Sequence, residues 1–354
     1  MAGNMTARQG AGAGSTSTGS TTASTSTSTA DRAARPAAVP AGGRRRRAPL
    51  TSRWRTRLEI AFFVTPALAL LALFVVVPVL QAGHYSLYKW NGLGPMDNFV
   101  GLANYVQALG DDVFTGALRH NLTIIVLSIV VQLPLGLAIA LLLNRNMWGR
   151  TALRVIIFVP YVLAEVVAGV VWFMLLQPGG VVDALFAAVG LERYTQLWLG
   201  NPDVALYTVM FVLTWKYLGL AVILFLAGLQ GVPPDLHEAA QIDGASWWQV
   251  QRKITVPLLG PTIRTWGFLS MIGSLQLFDM VWILTKGGPA NSTMTMATYL
   301  ISRGTERSQY GYGSAVAVLL FAFSLVLALL YQLFILRRDN SDGAHTPSSE
   351  KVKR

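Results

Sequence analysis

Cysteine is absent from the 354-residue sequence, which excludes disulfide frameworks, thiol nucleophiles and cysteine-ligated metals together. The four histidines, His84, His120, His237 and His345, lie far apart and leave little room for a histidine metal site. Charge is scarce as well: 13% of the residues are Asp, Glu, Lys or Arg, about half the share of an ordinary soluble domain. That shortage excludes a soluble globular protein and a fully disordered one alike. Also missing is any GxxxxGK(S/T) phosphate loop, so nucleotide hydrolysis by that motif lies outside this chain. What fills the sequence is apolar: 53% hydrophobic residues and a mean hydropathy of +0.47 describe a polytopic membrane protein. The net charge of +11 would suggest a nucleic-acid partner in a soluble protein. Its distribution along this chain points to a membrane instead, with no nucleic acid among the partners.

Residues 1–57 read as a disordered, basic cytoplasmic tail. The Ser/Thr/Gly/Ala tract over 14–30 cannot bury enough apolar surface to offset its ordering entropy. Arg44, Arg45, Arg46 and Arg47, then Arg53, Arg55 and Arg57, close the tail just before an apolar run over 60–80. That run is longer than a signal-peptide core and no small-residue cleavage pattern follows it, so it is expected to be an uncleaved first helix. Five more runs cover 122–143, 155–176, 204–229, 266–284 and 314–336, each near the roughly 20 residues that a bilayer core demands. The span 266–284 is diluted by Ser270, Gly273, Ser274, Gln276 and Asp279, and must face protein or water on one side. Six spans put both termini on one side of the membrane. The segments that would be cytoplasmic hold 21 Lys and Arg against 6 in the outer loops, so both termini are expected in the cytoplasm. The expected fold is all-α, with a membrane domain over 58–338 and a cytoplasmic C-terminal tail over 339–354.

The segment between the fourth and fifth spans is more ordered than a connection needs to be. Pro233 and Pro234 stop the fourth helix, and Asp235 stands where it can cap a short new one. Ala239 and Ala240 offer a small-residue surface to another protein, and Gly244 permits the sharp turn that ends this helix. A second short helix through Trp247, Trp248 and Val250 runs on to Pro257. His237-Glu238 opens an HExxH pattern, but Gln241 stands where the second histidine of a zinc protease must be. An amphipathic loop lying at the membrane interface is the plainer alternative.

Glu238-Ala239-Ala240, three residues, Gly244, nine residues, Ile254, one residue, then Val256-Pro257 resembles the EAA signature of ABC-importer permeases. These are the binding-protein-dependent inner-membrane components with the MetI-like fold. Val256 stands where that family usually has Leu. Three further stretches resemble the MalF-like branch of the carbohydrate-uptake class. They are the F-x-G-L-x-N-Y box from Phe99 to Tyr105, the T-x-G-G-P turn from Thr285 to Pro289, and Tyr310-Gly311-Tyr312-Gly313 at the start of the last helix. The resemblance covers about residues 55–338, with the type-1 transmembrane region over about 116–336 and the coupling loop over 231–262.

The resemblance implies the membrane-spanning permease subunit of an ATP-driven importer that carries a di- or oligosaccharide across the bacterial plasma membrane. It implies a transport subunit rather than an enzyme, with no catalytic residue and no metal. The implied partners are a second related permease, two copies of a cytoplasmic ATPase that hold ATP-Mg, an extracytoplasmic sugar-binding (lipo)protein, and membrane lipid. No cofactor is implied in this chain itself. The coupling residues carried over are Glu238, Ala239, Ala240, Gly244, Ile254 and Pro257. In the family the loop helix docks into a groove on the ATPase, where Glu238 would accept charge-assisted hydrogen bonds and Gly244 would set the loop angle.

The intramembrane charges are informative without any resemblance. Glu165 lies near the middle of the third span and Lys216 near the middle of the fourth. A charge at mid-bilayer costs about 2.5–3.5 kcal/mol on insertion scales, so the two either pair to lock helices together or line the sugar path. Asp279, nearer the outer end of the fifth span, either meets sugar hydroxyls or sits in a wet vestibule. Trp172, Trp215, Phe278 and Trp282 offer ring faces to sugar C–H groups, although an interfacial belt also places Trp172 and Trp282 near span ends. Two other classes fit less well. A polytopic membrane enzyme needs carboxylate or Ser/His constellations that the scattered histidines do not supply. A gradient-driven carrier more often shows inverted repeats with broken helices, and no internal symmetry is evident. The sequons at Asn121 and Asn291 carry no meaning in a bacterial host.

Overall fold

The computed structural model describes residues 50–336; the readings made for 1–49 and 337–354 fall outside the described residues. The chain divides into two units after residue 61. A helix is already under way at Leu50, so residues 50–57, assigned above to a disordered tail, are helical.

In chain order the elements that matter are α1 (Arg57–Tyr85), α2 (Asp112–Asn144), α3 (Arg150–Val162), α4 (Glu165–Leu175) and α5 (Pro202–Leu229). They are followed by α6 (Pro234–Ile242), α7 (Trp247–Val250), α8 (Gly260–Leu275), α9 (Asp279–Leu284), α10 (Met296–Leu300) and α11 (Tyr310–Ile335). Among the described residues α1, α2, α5 and α11 are each long and apolar enough to cross a membrane, and the bent pair α3/α4 has the length and composition of a fifth, as a broken span or a re-entrant loop. The remaining expected crossing, 266–284, is polar and interrupted between α8 and α9. The only β-pairing among the described residues is a bridge between Tyr88 and Phe99.

α5 is the central element. Asn201 caps it through Oδ1, which accepts from the Asp203 N–H at 3.0 Å, and Pro202 occupies the first turn, where no N–H is needed. It is apolar all round, as a helix buried among other helices must be. Val209, Val212 and Leu213 pack towards α4 and α9, while Ala221, Val222 and Phe225 pack against the second half of α2 and against α8.

Prolines shape the helices in a recurring way. π turns at Ala72–Val76, Ser128–Gln132 and Gln251–Thr255 each end two residues before a proline: Pro78, Pro134 and Pro257. Proline supplies no N–H to the carbonyl four residues back and crowds it with its ring. At these sites the helix widens instead of breaking.

Two spans do break. α3 and α4 meet at 99° across Leu163 and Ala164, both in extended conformation. α8 and α9 are separated by Gln276, Leu277 and Phe278. The third and fifth spans are therefore not continuous helices. Glu165 and Asp279 are not positions along a span but the first residues of the half-helices α4 and α9. These half-helices pack together closely enough that a Cβ on Gly169 would come within 2.9 Å of Ile283.

Candidate functional site

A helix that breaks inside a membrane leaves carbonyls that water cannot satisfy. At the α3/α4 break a single side chain answers them. The Lys216 ammonium, fully buried on α5, donates to the carbonyls of Pro160 (3.1 Å) and Tyr161 (3.2 Å) and to that of Leu163. Glu165 Oε1 lies 3.8 Å from the same ammonium and accepts the Tyr217 hydroxyl at 2.8 Å. Of the two readings the sequence left open, the pair forms, but the closer partners of Lys216 are backbone carbonyls. With its three protons committed, Lys216 has no donor to offer along a sugar path.

The second break is closed from α2. Asn121, completely buried, donates through Nδ2 to the Ser274 carbonyl at 2.6 Å and accepts the Met296 N–H at 2.9 Å on Oδ1. Thr295 donates to the Leu277 carbonyl at 2.8 Å. Nearby, Asp111 caps α2 through the Val113 N–H (2.7 Å) and accepts the Tyr299 hydroxyl (2.8 Å), with Arg303 3.5 Å away. Burial pushes the Asp111 carboxyl up, but Tyr299, the Val113 N–H and Arg303 outweigh it and hold the group below its usual value. Tyr299 is pushed up, by burial first and then by its hydrogen bonds to Tyr312 and Asp111.

Between the two breaks lies a cavity of about 390 Å³. Its polar wall consists of Ser128 and Gln132 from α2, Tyr161 from α3, Tyr217 from α5, and Ser270 and Ser274 from α8. Ser128 and Gln132 are the two ends of the π turn ahead of Pro134. The Ser128 hydroxyl donates to Gln132 Oε1 at 2.7 Å and lies 2.7 Å from that of Ser270. Trp266 and aliphatic side chains complete the lining, and no lining side chain is ionisable in the acid–base range of water except the two phenols. None of Glu165, Lys216, Asp279, Trp172, Trp215, Phe278 and Trp282 lines it. Trp172 instead packs edge-on against Trp215 (centroids 5.3 Å apart) and Phe211, within the cluster beside α9. Phe278 and Trp282 stack at 5.3 Å, next to an exposed Asp279.

The loop after α5 is a second built feature. Pro233 is the residue before α6 and Pro234 its first, so Asp235 lies in the first turn rather than at the cap. At the other end the Gly244 N–H bonds the Gln241 carbonyl (3.0 Å) and the Ala245 N–H the Ala240 carbonyl (2.9 Å). This is a Schellman closure with Gly244 at φ +74°. Ser246 and Gln249 form a capping box at the start of α7, and His237 Nε2 lies 3.1 Å from Thr255 Oγ1. Glu238, Ala239 and Pro257 are exposed, as are Ile242 (87%) and Trp248 (74%). Ala240 is not part of the outward surface: it is buried against the rest of the chain, and Ile254 is half-buried.

Residues 132–340 match the family of binding-protein-dependent transport system inner membrane components. The chain belongs to that family. This permease is 37% identical over 274 residues to a probable ABC transporter permease of Pyrococcus horikoshii, a match covering 77% of this chain and 94% of the relative. It is 35% identical over 321 residues to the diacetylchitobiose uptake system permease protein NgcF of Streptomyces coelicolor, covering 87% and 90%. Its fold is that of a chain in the crystal structure of a bacterial ABC transporter involved in the import of the acidic polysaccharide alginate. The TM-score is 0.72 at 22% identity, over 81% of this chain and 98% of that one. The permease is therefore a transport component of the membrane and not an enzyme.

Sequence reasoning overlooked Ser128, Gln132, Tyr161 and Tyr217 of the permease cavity. It named Ser270 and Ser274 only as the polar dilution of the fifth span. That dilution was the available signal: hydroxyls one helical turn apart, at 270 and 274, form a polar stripe on one face.

Proposed function

We propose that this permease carries an uncharged di- or oligosaccharide across the bacterial plasma membrane as one subunit of an ATP-driven importer. The cavity between the two helix breaks carries the proposal. Its walls pair hydroxyls and an amide with a tryptophan and aliphatic side chains, without an ammonium, guanidinium or carboxylate, and its volume falls within the usual range of small-ligand sites, about 300–1,000 Å³. Sugar hydroxyls match such walls, and an acidic sugar would find no counter-charge. The diacetylchitobiose permease of Streptomyces coelicolor and the trehalose/maltose permease MalF of Thermococcus litoralis, 32% identical over 269 residues, support a saccharide cargo.

In this reading the path runs along Ser128, Gln132, Ser270 and Ser274, with Asp279 and the Phe278–Trp282 stack at its margin. Lys216 and Glu165 hold the broken helix. The coupling face is Glu238, Ala239, Gly244, Ile242 and Trp248, docked on one of two copies of an ATPase that hold ATP-Mg. Ala240 and Ile254 shape the loop from within, and the exposed Pro257 follows its π turn. A second permease completes the path, a sugar-binding protein delivers the cargo from outside, and both termini of this chain lie in the cytoplasm.

Gly273 gives the test. It lines the cavity, and a Cβ placed there meets nothing within 4 Å. Gly273→Phe should therefore plug the path without disturbing the fold. Uptake of diacetylchitobiose, maltose and trehalose in cells should fall at least about tenfold for whichever is the cargo, while the subunit still inserts and copurifies with its partners. Unchanged uptake of a transported sugar would remove this cavity from the path.

A further inference from the structure

A second cavity, of about 490 Å³, lies between the end of α2 and the coupling loop, away from the sugar-sized cavity. Arg145 and Asn146 follow α2 along one side, His237 and Gln241 come from α6, and Trp247 and Gln251 close the other side. Three observations define its chemistry. The Arg145 guanidinium lies 5.4 Å from the Trp247 ring centroid, and among the described residues it has no hydrogen-bond acceptor. Gln251 is only 8% exposed, yet its side-chain amide has no partner among the described residues. No lining residue is acidic, although Asp235 and Glu238 belong to the same helix as His237.

Gln251 is buried while Arg145, Asn146 and Gln241 are exposed, so donors open to solvent surround a space without a carboxylate, a setting that suits a ligand rich in acceptors and negative charge. We propose that this cavity binds a phosphate-bearing anion. The guanidinium fork matches two phosphate oxygens at once, and the amides of Gln251, Gln241 and Asn146 can donate to the rest. A neutral ligand would leave the guanidinium unmatched, and a cation would be repelled. The π turn ahead of Pro257 makes the site possible, because it sets Gln251 and Thr255 into the wall. An occupant would bridge the end of α2 to both helices of the loop, and so fix the loop against the membrane helices. Two sources share this chemistry: a phosphorylated sugar, the product of phosphorylating an imported sugar inside the cell, and the headgroup of an anionic lipid.

The test uses the whole transporter, purified with its partner subunits. Calorimetric titration with glucose 6-phosphate, against glucose as control, probes the soluble source. Native mass spectrometry after reconstitution with phosphatidylglycerol or with phosphatidylcholine alone probes the lipid. One phosphate-bearing probe should bind saturably, and Arg145→Ala and the near-isosteric Gln251→Glu should each weaken it by about tenfold or more. Arg145→Lys, which keeps the charge but loses the fork, should fall between. The responding arm identifies the source. Binding of neither probe, or binding that both variants leave intact, overturns the proposal. So does a result in which neither probe binds and Arg145→Ala instead releases the ATPase, because the cavity would then hold a partner side chain.

Discussion

Gly244 offers a sharp test of the coupling loop, because its cost on substitution separates cleanly into conformation and space. The residue sits at φ +74°, and a Cβ built on it meets nothing within 4 Å. Any penalty is therefore one of backbone conformation, about 1–2 kcal/mol for an ordinary L-residue and up to about 3 kcal/mol for a strained one such as valine. Asparagine tolerates the left-handed region and should cost least. At about 1.4 kcal/mol per factor of ten, Gly244→Ala should deplete the closed Schellman turn by about fivefold to thirtyfold, and Gly244→Val by up to about two orders of magnitude. The turn lies outside the apolar spans, so all variants should insert equally. Sugar uptake and ATPase copurification should then rank Gly and Asn above Ala, and Ala above Val. Steric crowding would rank them differently, since Asn is larger than Ala. If valine couples as well as glycine, or if Asn is worse than Ala, the turn does not position the docking helix as argued.

The other expectations concern the supports of the fold. Lys216→Ala strands the carbonyls of Pro160, Tyr161 and Leu163 and leaves Glu165 without its counter-ion. It should destabilise the detergent-solubilised permease by about 3–5 kcal/mol, read as thermal unfolding. Lys216→Met with Glu165→Gln should recover only the part owed to the stranded carboxylate. The depressed Asp111 carboxyl gives a pH signature. Because the folded value lies below the unfolded one, its stabilisation is present above pH 3.8 and disappears as pH falls through the folded value. Asp111→Asn should thus unfold earlier than the wild type at neutral pH, and the two should converge only once the pH has fallen below the folded value, itself under 3.8. A constant difference across that range would show that Asp111 acts without its charge.

The parts legible in the sequence were those with local causes. Long apolar runs announce α1, α2, α5 and α11 by length alone. The coupling loop follows from Pro233, Pro234 and Gly244, whose backbone preferences need no distant partner. The two breaks were not legible. Neither Leu163-Ala164 nor Gln276-Leu277-Phe278 contains a glycine or proline, and the nearest, Pro160 and Gly273, lie inside the preceding helices rather than at the breaks. What makes them tolerable is remote: Lys216 is 53–56 residues from the carbonyls it caps, and Asn121 is 153 residues from Ser274. The lining of the cavity was hard to read for a related reason. Charges and rings stand out in an apolar sequence, so Lys216 and Trp172 were weighed as sugar contacts, against an ion pair and an interfacial belt respectively. In the fold both are enclosed among the permease's own helices. The modest hydroxyls of α2 and α8 face the open space.

The π turn at Ser128–Gln132 has a consequence for how α2 changes in evolution or by design. Such a turn holds one residue more than a regular helix would in the same rise, and one residue of helix is about 100° of azimuth. Everything after Pro134 is rotated by that amount, and the rotation brings Gly136 against Ala221, where a Cβ would come within 2.8 Å, with Ala140 buried on the same seam. Removing one residue from the turn would hardly shorten the helix. It would swing the Gly136–Ala140 seam off α5 and present larger side chains to it. Proline and chain length in this stretch are therefore coupled characters. A homologue that has lost the proline should have lost a residue with it, or repacked the whole face of α5.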